Sequence, residues 1–160
     1  LCQSLVTGCT MMINAPLRQL VCARLPEEDC LMYDWWISLA AAAMGKICYV
    51  NEATIDYRQH GNNQVGARNA RSPAYIAARL RGGQAGRALA ATYRQAAAFE
   101  KTFRGVLPPE AARLAAAYAA LPEKRGLERL SAAVELGTLK CGALRRLGQL
   151  CCLGAPKAHF

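Results

Sequence analysis

The order of apolar and polar positions predicts a chain that is helical over most of its length. Residues 7–14, Thr-Gly-Cys-Thr-Met-Met-Ile-Asn, read as a glycine turn entering a short buried strand. Pro16 suits the first turn of a short helix that carries Leu17, Leu20 and Val21 along one side. Pro26, Glu27, Glu28 and Asp29 form an exposed acidic loop. Asp34 then stands at an N-cap position, Trp35, Trp36, Leu39, Ala42 and Ala43 follow at helical spacing, and Gly45 is the stop. Residues 46–50 and 53–58 read as two brief strands, closed by a polar turn at Gly61, Asn62, Asn63 and Gly66.

After Arg71 the pattern changes. Ser72 and Pro73 start a helix that Gly82 and Gly83 interrupt, and it resumes near Gln84 and continues to about Phe103. Pro108 and Pro109 open another over 111–121, with Leu114, Tyr118 and Leu121 at spacings of four and three, and Pro122 ends it. Residues 123–136 and 138–153 complete a string of helices joined by short connections. The fold class expected is mainly α with a small β portion, and the boundary between the two parts falls at residues 65–72. In the last helix Leu139, Leu144, Leu147, Leu150, Cys151 and Leu153 alternate with Lys140, Arg145 and Arg146, which suits packing against a neighbour and also suits lying on an anionic membrane.

Composition sharpens this picture at three points. The 160 residues are 53% hydrophobic but only 7% aromatic, and the surplus is alanine and leucine, which favours helices packed through small side chains. A chain of this length buries roughly two thirds of its unfolded surface, enough for a private core. The net charge of +9 is unevenly spread. Up to Asn63 there are four basic and six acidic side chains, and beyond it sixteen basic and five acidic, so the excess that would seek an anionic partner lies in the C-terminal part. The eight cysteines form no C-x-x-C pair and no zinc-finger spacing, which points to reduced, buried small hydrophobes in a cytosolic protein. No run of eighteen uncharged apolar residues occurs, and the start at Leu1 has no basic region ahead of an apolar core. It reads as a cut from something longer.

The residues able to do chemistry gather between Tyr33 and Asn63. Asp34 is a carboxylate beside two tryptophans; it can cap a helix, and it can also serve as a general base for a hydroxyl. Trp35 and Trp36 point roughly 100° apart on a helix, so one fills the core while the other is available as a wall for a sugar ring. Arg58 can hold a phosphate or pair with Asp56 or Glu52. His60, between a strand and a glycine, can make ordinary hydrogen bonds or bind a divalent metal.

Taken in order, Val6-Thr7-Gly8-Cys9-Thr10-Met11, Asp34-Trp35-Trp36, Gly45-Lys46-Ile47 and Tyr57-Arg58-Gln59-His60-Gly61-Asn62-Asn63 resemble the C-terminal half of bacterial glycosyltransferase family 2 enzymes, in particular the rhamnosyltransferase-like branch that builds surface polysaccharides. The resemblance covers about residues 5–67. It implies that residues 1–67 are the acceptor-side part of a GT-A α/β domain and that 68–160 are a helical extension. It further implies an inverting transfer from a nucleotide sugar to a polysaccharide or lipid-linked acceptor, with Asp34 as catalytic base. Thr7 and Gly8 would line the floor between donor and acceptor, Trp35 or Trp36 would shape the acceptor pocket, and Arg58 with His60 would approach the diphosphate and its metal.

Such enzymes bind the nucleotide with an N-terminal βαβ half and hold Mn²⁺ or Mg²⁺ through a D-x-D motif, and this sequence contains neither. The chain alone is therefore expected to be inactive, to hold no cofactor and to self-associate as a homo-oligomer through surface that the other half would cover. The expected setting is cytoplasmic, at the inner face of a membrane. The alternative reading is a non-enzymatic basic helical module for an anionic membrane, lipid phosphate or nucleic acid. Nucleic acid is the weaker version and is not expected as a partner, because the basic residues lack aromatic interleaving or a reading motif.

Overall fold

A computed structural model describes residues 1–56, 58 and 84–154. Within them the chain forms six α-helices: α1 (Ala15–Ala23), α2 (Tyr33–Met44), α3 (Gln84–Thr102), α4 (Pro109–Ala119), α5 (Gly126–Glu135) and α6 (Ala143–Gly154), with short 3-10 turns at Gly8–Thr10 and Leu121–Glu123. The mainly α expectation holds. The small β portion does not: no strand occurs among the described residues. Residues 7–14 form the 3-10 turn followed by extended chain, and residues 46–56 carry no regular structure. An apolar run becomes a strand only where a second one pairs with its backbone. Here Ile47, Tyr49, Val50 and Ile55 are instead left exposed.

The helix limits follow local chemistry. At the start of α1 the Asn14 Oδ1 accepts the Leu17 amide at 3.1 Å, and Pro16 occupies the first turn, where no amide is needed. Helix α2 ends as the Gly45 amide reaches the Ala41 carbonyl at 3.0 Å. After α5, Gly137 takes a φ of 64°, a conformation that costs glycine nothing. The turn it makes lets the Thr138 amide and hydroxyl both donate to the Ala133 carbonyl, at 3.0 and 3.1 Å.

Helix α3 is the axis of the molecule. Leu89, Tyr93, Ala96 and Phe99, spaced by four, three and three, lie along one side of it and are buried. The upper part of this row joins Tyr118 of α4, Leu121 just after it, Ala133 of α5 and Leu153 of α6 in one cluster. The lower part, with Phe103, joins Val21 of α1, Trp36 and Ala40 of α2 and Ala115 of α4 in a second. Of the residues expected to align over 111–121, Tyr118 and Leu121 are core but Leu114 is 38% exposed, and the smaller Ala115 takes the inward place. The boundary expected at 65–72 lies outside the described residues. The regions on either side of it share the second cluster.

Two polar ties reinforce these contacts. The acidic loop before α2 is held to α3 by ion pairs from Glu27 to Lys101 at 2.8 Å and from Asp29 to Arg94 at 3.1 Å. Arg129, fully buried on α5, donates through Nε and a terminal guanidinium nitrogen to the Lys124 carbonyl at 2.9 and 2.8 Å. No helix among the described residues is long and apolar enough to cross a membrane.

Candidate functional site

The start of α2 brings together three of the residues singled out in the sequence. Asp34 is the second residue of the helix, not its cap; Met32 holds the cap position with no side-chain hydrogen bond. From there the buried carboxylate, 4% exposed, accepts the Trp35 amide on Oδ1 at 2.7 Å, one of the first-turn amides that lack a helical partner. Its Oδ2 accepts the Gly8 amide at 2.9 Å, across 26 residues. Asp34 therefore ties the Gly8–Thr10 turn to the head of α2. Thr7 is exposed, and its carbonyl accepts both the amide and the hydroxyl of Thr10 at 2.9 Å.

Gly8 permits a close approach: the Tyr33 hydroxyl lies where a Cβ at this position would stand, so a larger residue would require that exposed ring to swing aside. The two tryptophans part as their helical offset requires. Trp36 points into the core, edge-on to Phe99 at 5.4 Å between ring centroids and 5.9 Å from Phe103. Trp35 turns to a different cavity, of about 590 Å³, between the 1–4 segment, the head of α2, α3 and α6. Arg58 is exposed. His60 and its neighbours Tyr57, Gln59, Gly61, Asn62 and Asn63 lie outside the described residues, as does the polar turn they were expected to form.

Sequence reasoning singled out Trp35 and missed most of what surrounds that cavity. Leu31, Leu89 and Leu144 supply apolar wall, while Lys140 and Arg145 bring positive charge. Lys140 is set in place by Gln149, whose Oε1 accepts the Lys140 amide at 2.7 Å while its Nε2 donates to the Thr138 carbonyl at 2.8 Å. The Trp35 Nε1 and the Gln3 Nε2 are buried donors with no hydrogen-bond partner among the described residues. Cys2 also lines the cavity, and burial pushes its thiol above the ordinary value.

The cysteine expectation needs correcting. All eight are free thiols, but Cys9, Cys22, Cys30, Cys48, Cys141 and Cys151 are exposed and Cys2 and Cys152 only half-buried. With alanine and leucine so abundant, the core is filled without them. Among the described residues no group of three His, Cys, Asp or Glu side chains is placed to hold a metal ion, so the divalent ion implied by the resemblance finds no matching donor set there. Comparison with family models, with curated proteins and with solved structures gave no match for this chain.

Proposed function

We propose that this chain is the acceptor-side part of an inverting family 2 glycosyltransferase with a helical extension, taking a sugar such as rhamnose from a nucleotide sugar to a polysaccharide or lipid-linked acceptor. The observation that carries the reading is the 2.9 Å bond from the Gly8 amide to Asp34, which joins the two segments that the resemblance assigns to the floor of the site and to its base. A carboxylate offers about four acceptor positions, of which two are taken by Gly8 and Trp35, so Asp34 keeps capacity for a hydroxyl proton. Tyr33, 65% exposed and resting over Gly8, is the side chain that would yield to an acceptor. The acceptor oxygen would attack the anomeric carbon as its proton passes to Asp34, and the nucleoside diphosphate would leave from the opposite face. A divalent ion would neutralise that leaving group in the complete enzyme.

Exposed apolar side chains at Met12, Ile47, Tyr49, Val50 and Ile55 support the same reading, since a nucleotide-binding half would cover such surface. They also favour self-association of the isolated chain, and a monodisperse monomer in sedimentation would count against it. The direct test compares the complete gene product with its Asp34→Asn form. Transfer should fall by about 10²–10⁴-fold with the circular dichroism unchanged. An undiminished rate would end the proposal.

A second reading has its own observation. On α6, Leu144 and Leu147 are 50% and 59% exposed beside the exposed Arg145 and Arg146. Packing thus accounts for one side of this helix, and the other fits the anionic inner face of a membrane. Salt-sensitive co-sedimentation with phosphatidylglycerol vesicles, lost in Leu147→Glu, would support it, and absence of binding at low salt would remove it.

A further inference from the structure

We propose that the cavity beside Trp35 binds an uncharged, largely apolar molecule through a ketone or ester carbonyl. The inference does not depend on the transferase reading, since neither Asp34 nor Gly8 lines this space. Its volume of about 590 Å³ falls within the range of roughly 300–1,000 Å³ usual for small-molecule sites. Leu31, Met32, Leu89 and Leu144 give it an apolar wall. All of these but Leu89 are exposed, so a hydrocarbon body seated among them would take them out of water.

The polar side chains of the lining decide what else the ligand must bring. Gln3 Oε1 accepts the Cys141 amide at 3.2 Å and Gln149 Oε1 the Lys140 amide at 2.7 Å, while the Ser4 and Thr92 hydroxyls donate to the Val6 and Leu89 carbonyls at 3.0 and 2.6 Å. What remains unmatched is donors. Trp35 is only 9% exposed and its Nε1 has no acceptor among the described residues; the Nε2 of Gln3, on the same lining, is likewise without one. Buried N–H groups are nearly always satisfied, and two on one cavity call for a ligand that accepts and need not donate. A carbonyl oxygen has two lone pairs and no proton of its own, so one can serve both. The charges on the lining add no demand, because Arg145 is exposed to water and Lys140 already interacts within the chain. Residues 1–4 form no helix or strand, which lets the Gln3 side part slightly to admit the oxygen.

The test uses the full chain and methyl decanoate, with undecane and decanoate in parallel. Binding is read from protection of Cys2 and Cys152, which line the cavity, against alkylation, with Cys22 and Cys48 as remote controls, and from the indole N–H resonance of Trp35, one of two tryptophans in the chain. Methyl decanoate should slow both cavity thiols and shift the resonance, whereas undecane should slow the thiols and move the resonance far less. Decanoate should bind more weakly than its ester, and Arg145→Gln should leave the ester unaffected. Trp35→Phe keeps a ring but removes a donor, and should weaken methyl decanoate by about ten-fold while leaving undecane unchanged. Gln3→Met removes the other donor and should act in the same direction, so the hydrogen-bond requirement stays testable if one variant does not fold. Gly148 lines the cavity, and a Cβ there meets nothing within 4 Å, so Gly148→Leu should fold and block every probe. The proposal is overturned if no probe protects the cavity thiols, if Gly148→Leu binds as well as the parent, or if the folded donor variants bind the ester undiminished. It is also overturned if decanoate binds more tightly than methyl decanoate, since the cavity would then select an anion.

Discussion

Trp36 and Phe99 meet edge to face, 5.4 Å apart and 76° between planes, and this pair fastens the head of the chain to its long central helix. Both are almost fully buried, and Phe103 closes the group. Trp36→Ala should therefore cost about 3–5 kcal/mol in urea denaturation, the range for emptying an aromatic site in a packed core. A double-mutant cycle with Phe99→Leu should return a coupling of about 0.5–1.5 kcal/mol. A loss well under 1 kcal/mol, or two separate unfolding steps in the parent protein, would mean that α1 and α2 do not share a core with α3.

A second buried pair predicts how the protein responds to alkali. The Thr92 hydroxyl lies 2.6 Å from the Leu89 carbonyl and 2.8 Å from the Tyr118 hydroxyl. Thr92 has one proton and gives it to the carbonyl, so Tyr118 donates to Thr92. Thr92→Val should strand the Tyr118 hydroxyl at a cost of about 1–3 kcal/mol, and Tyr118→Phe in the same protein should recover part of it. Burial holds both Tyr93 and Tyr118 well above the ordinary tyrosine range. The folded state thus keeps these protons after the unfolded chain, with its tyrosines near about 10, has lost them. Their contribution is complete below that pH and is lost as pH rises beyond it. Phenolate absorbance of these two rings should appear only together with the loss of helical circular dichroism. Ionisation of all six tyrosines before any unfolding would contradict the burial.

The turn at Gly8 separates a steric from a polar contribution. Gly8→Ala places a methyl group against the Tyr33 hydroxyl, but that hydroxyl is the tip of a largely exposed side chain and can swing aside. The cost should lie at or below the low end of the about 1–3 kcal/mol seen for overpacked cores, and Tyr33→Ala should abolish it. Asp34→Ala, by contrast, leaves the Gly8 and Trp35 amides without their acceptor and should cost about 1–3 kcal/mol, with faster hydrogen exchange at Gly8. If Asp34→Ala leaves both stability and exchange unchanged, the carboxylate does not anchor the turn.

Much of this architecture could be read from residues alone, and the reasons are local. Asn14 ahead of Pro16, Gly45 and the Pro108-Pro109 pair mark helix limits because a cap, a stop or a missing amide acts within one turn. The strand expectation for 46–50 failed because pairing is a non-local property that an apolar run cannot encode by itself. Arg129 was not foreseen as core, since its burial depends on a carbonyl at Lys124 presented by the turn before α5. The resemblance assigned Gly8 and Asp34 separate roles, and nothing in the spacing of residues 26 positions apart foretold the bond between them. The cavity was the least legible feature, because its walls come from four separated stretches, and only Trp35 stood out among them.

The thiols give a last prediction, in which exposure and proton affinity act together. A thiolate is the reactive form, so a thiol both shielded and raised in pKa reacts slowest. Burial raises Cys2, and at Cys30 burial is joined by the negative charge of Asp34. At neutral pH, iodoacetamide should therefore modify Cys9, Cys22, Cys48, Cys141 and Cys151 first, with Cys30 lagging although it is exposed, and Cys2 and Cys152 last. Raising the pH should accelerate Cys30, because more of its raised thiol then ionises. Replacing Asp34 by Asn should remove part of the lag at Cys30 and leave Cys2 as it was. Peptide mass spectrometry over a time course decides the matter, and a Cys30 that reacts as fast as Cys22 at neutral pH would show that neither its burial nor the Asp34 charge holds it back.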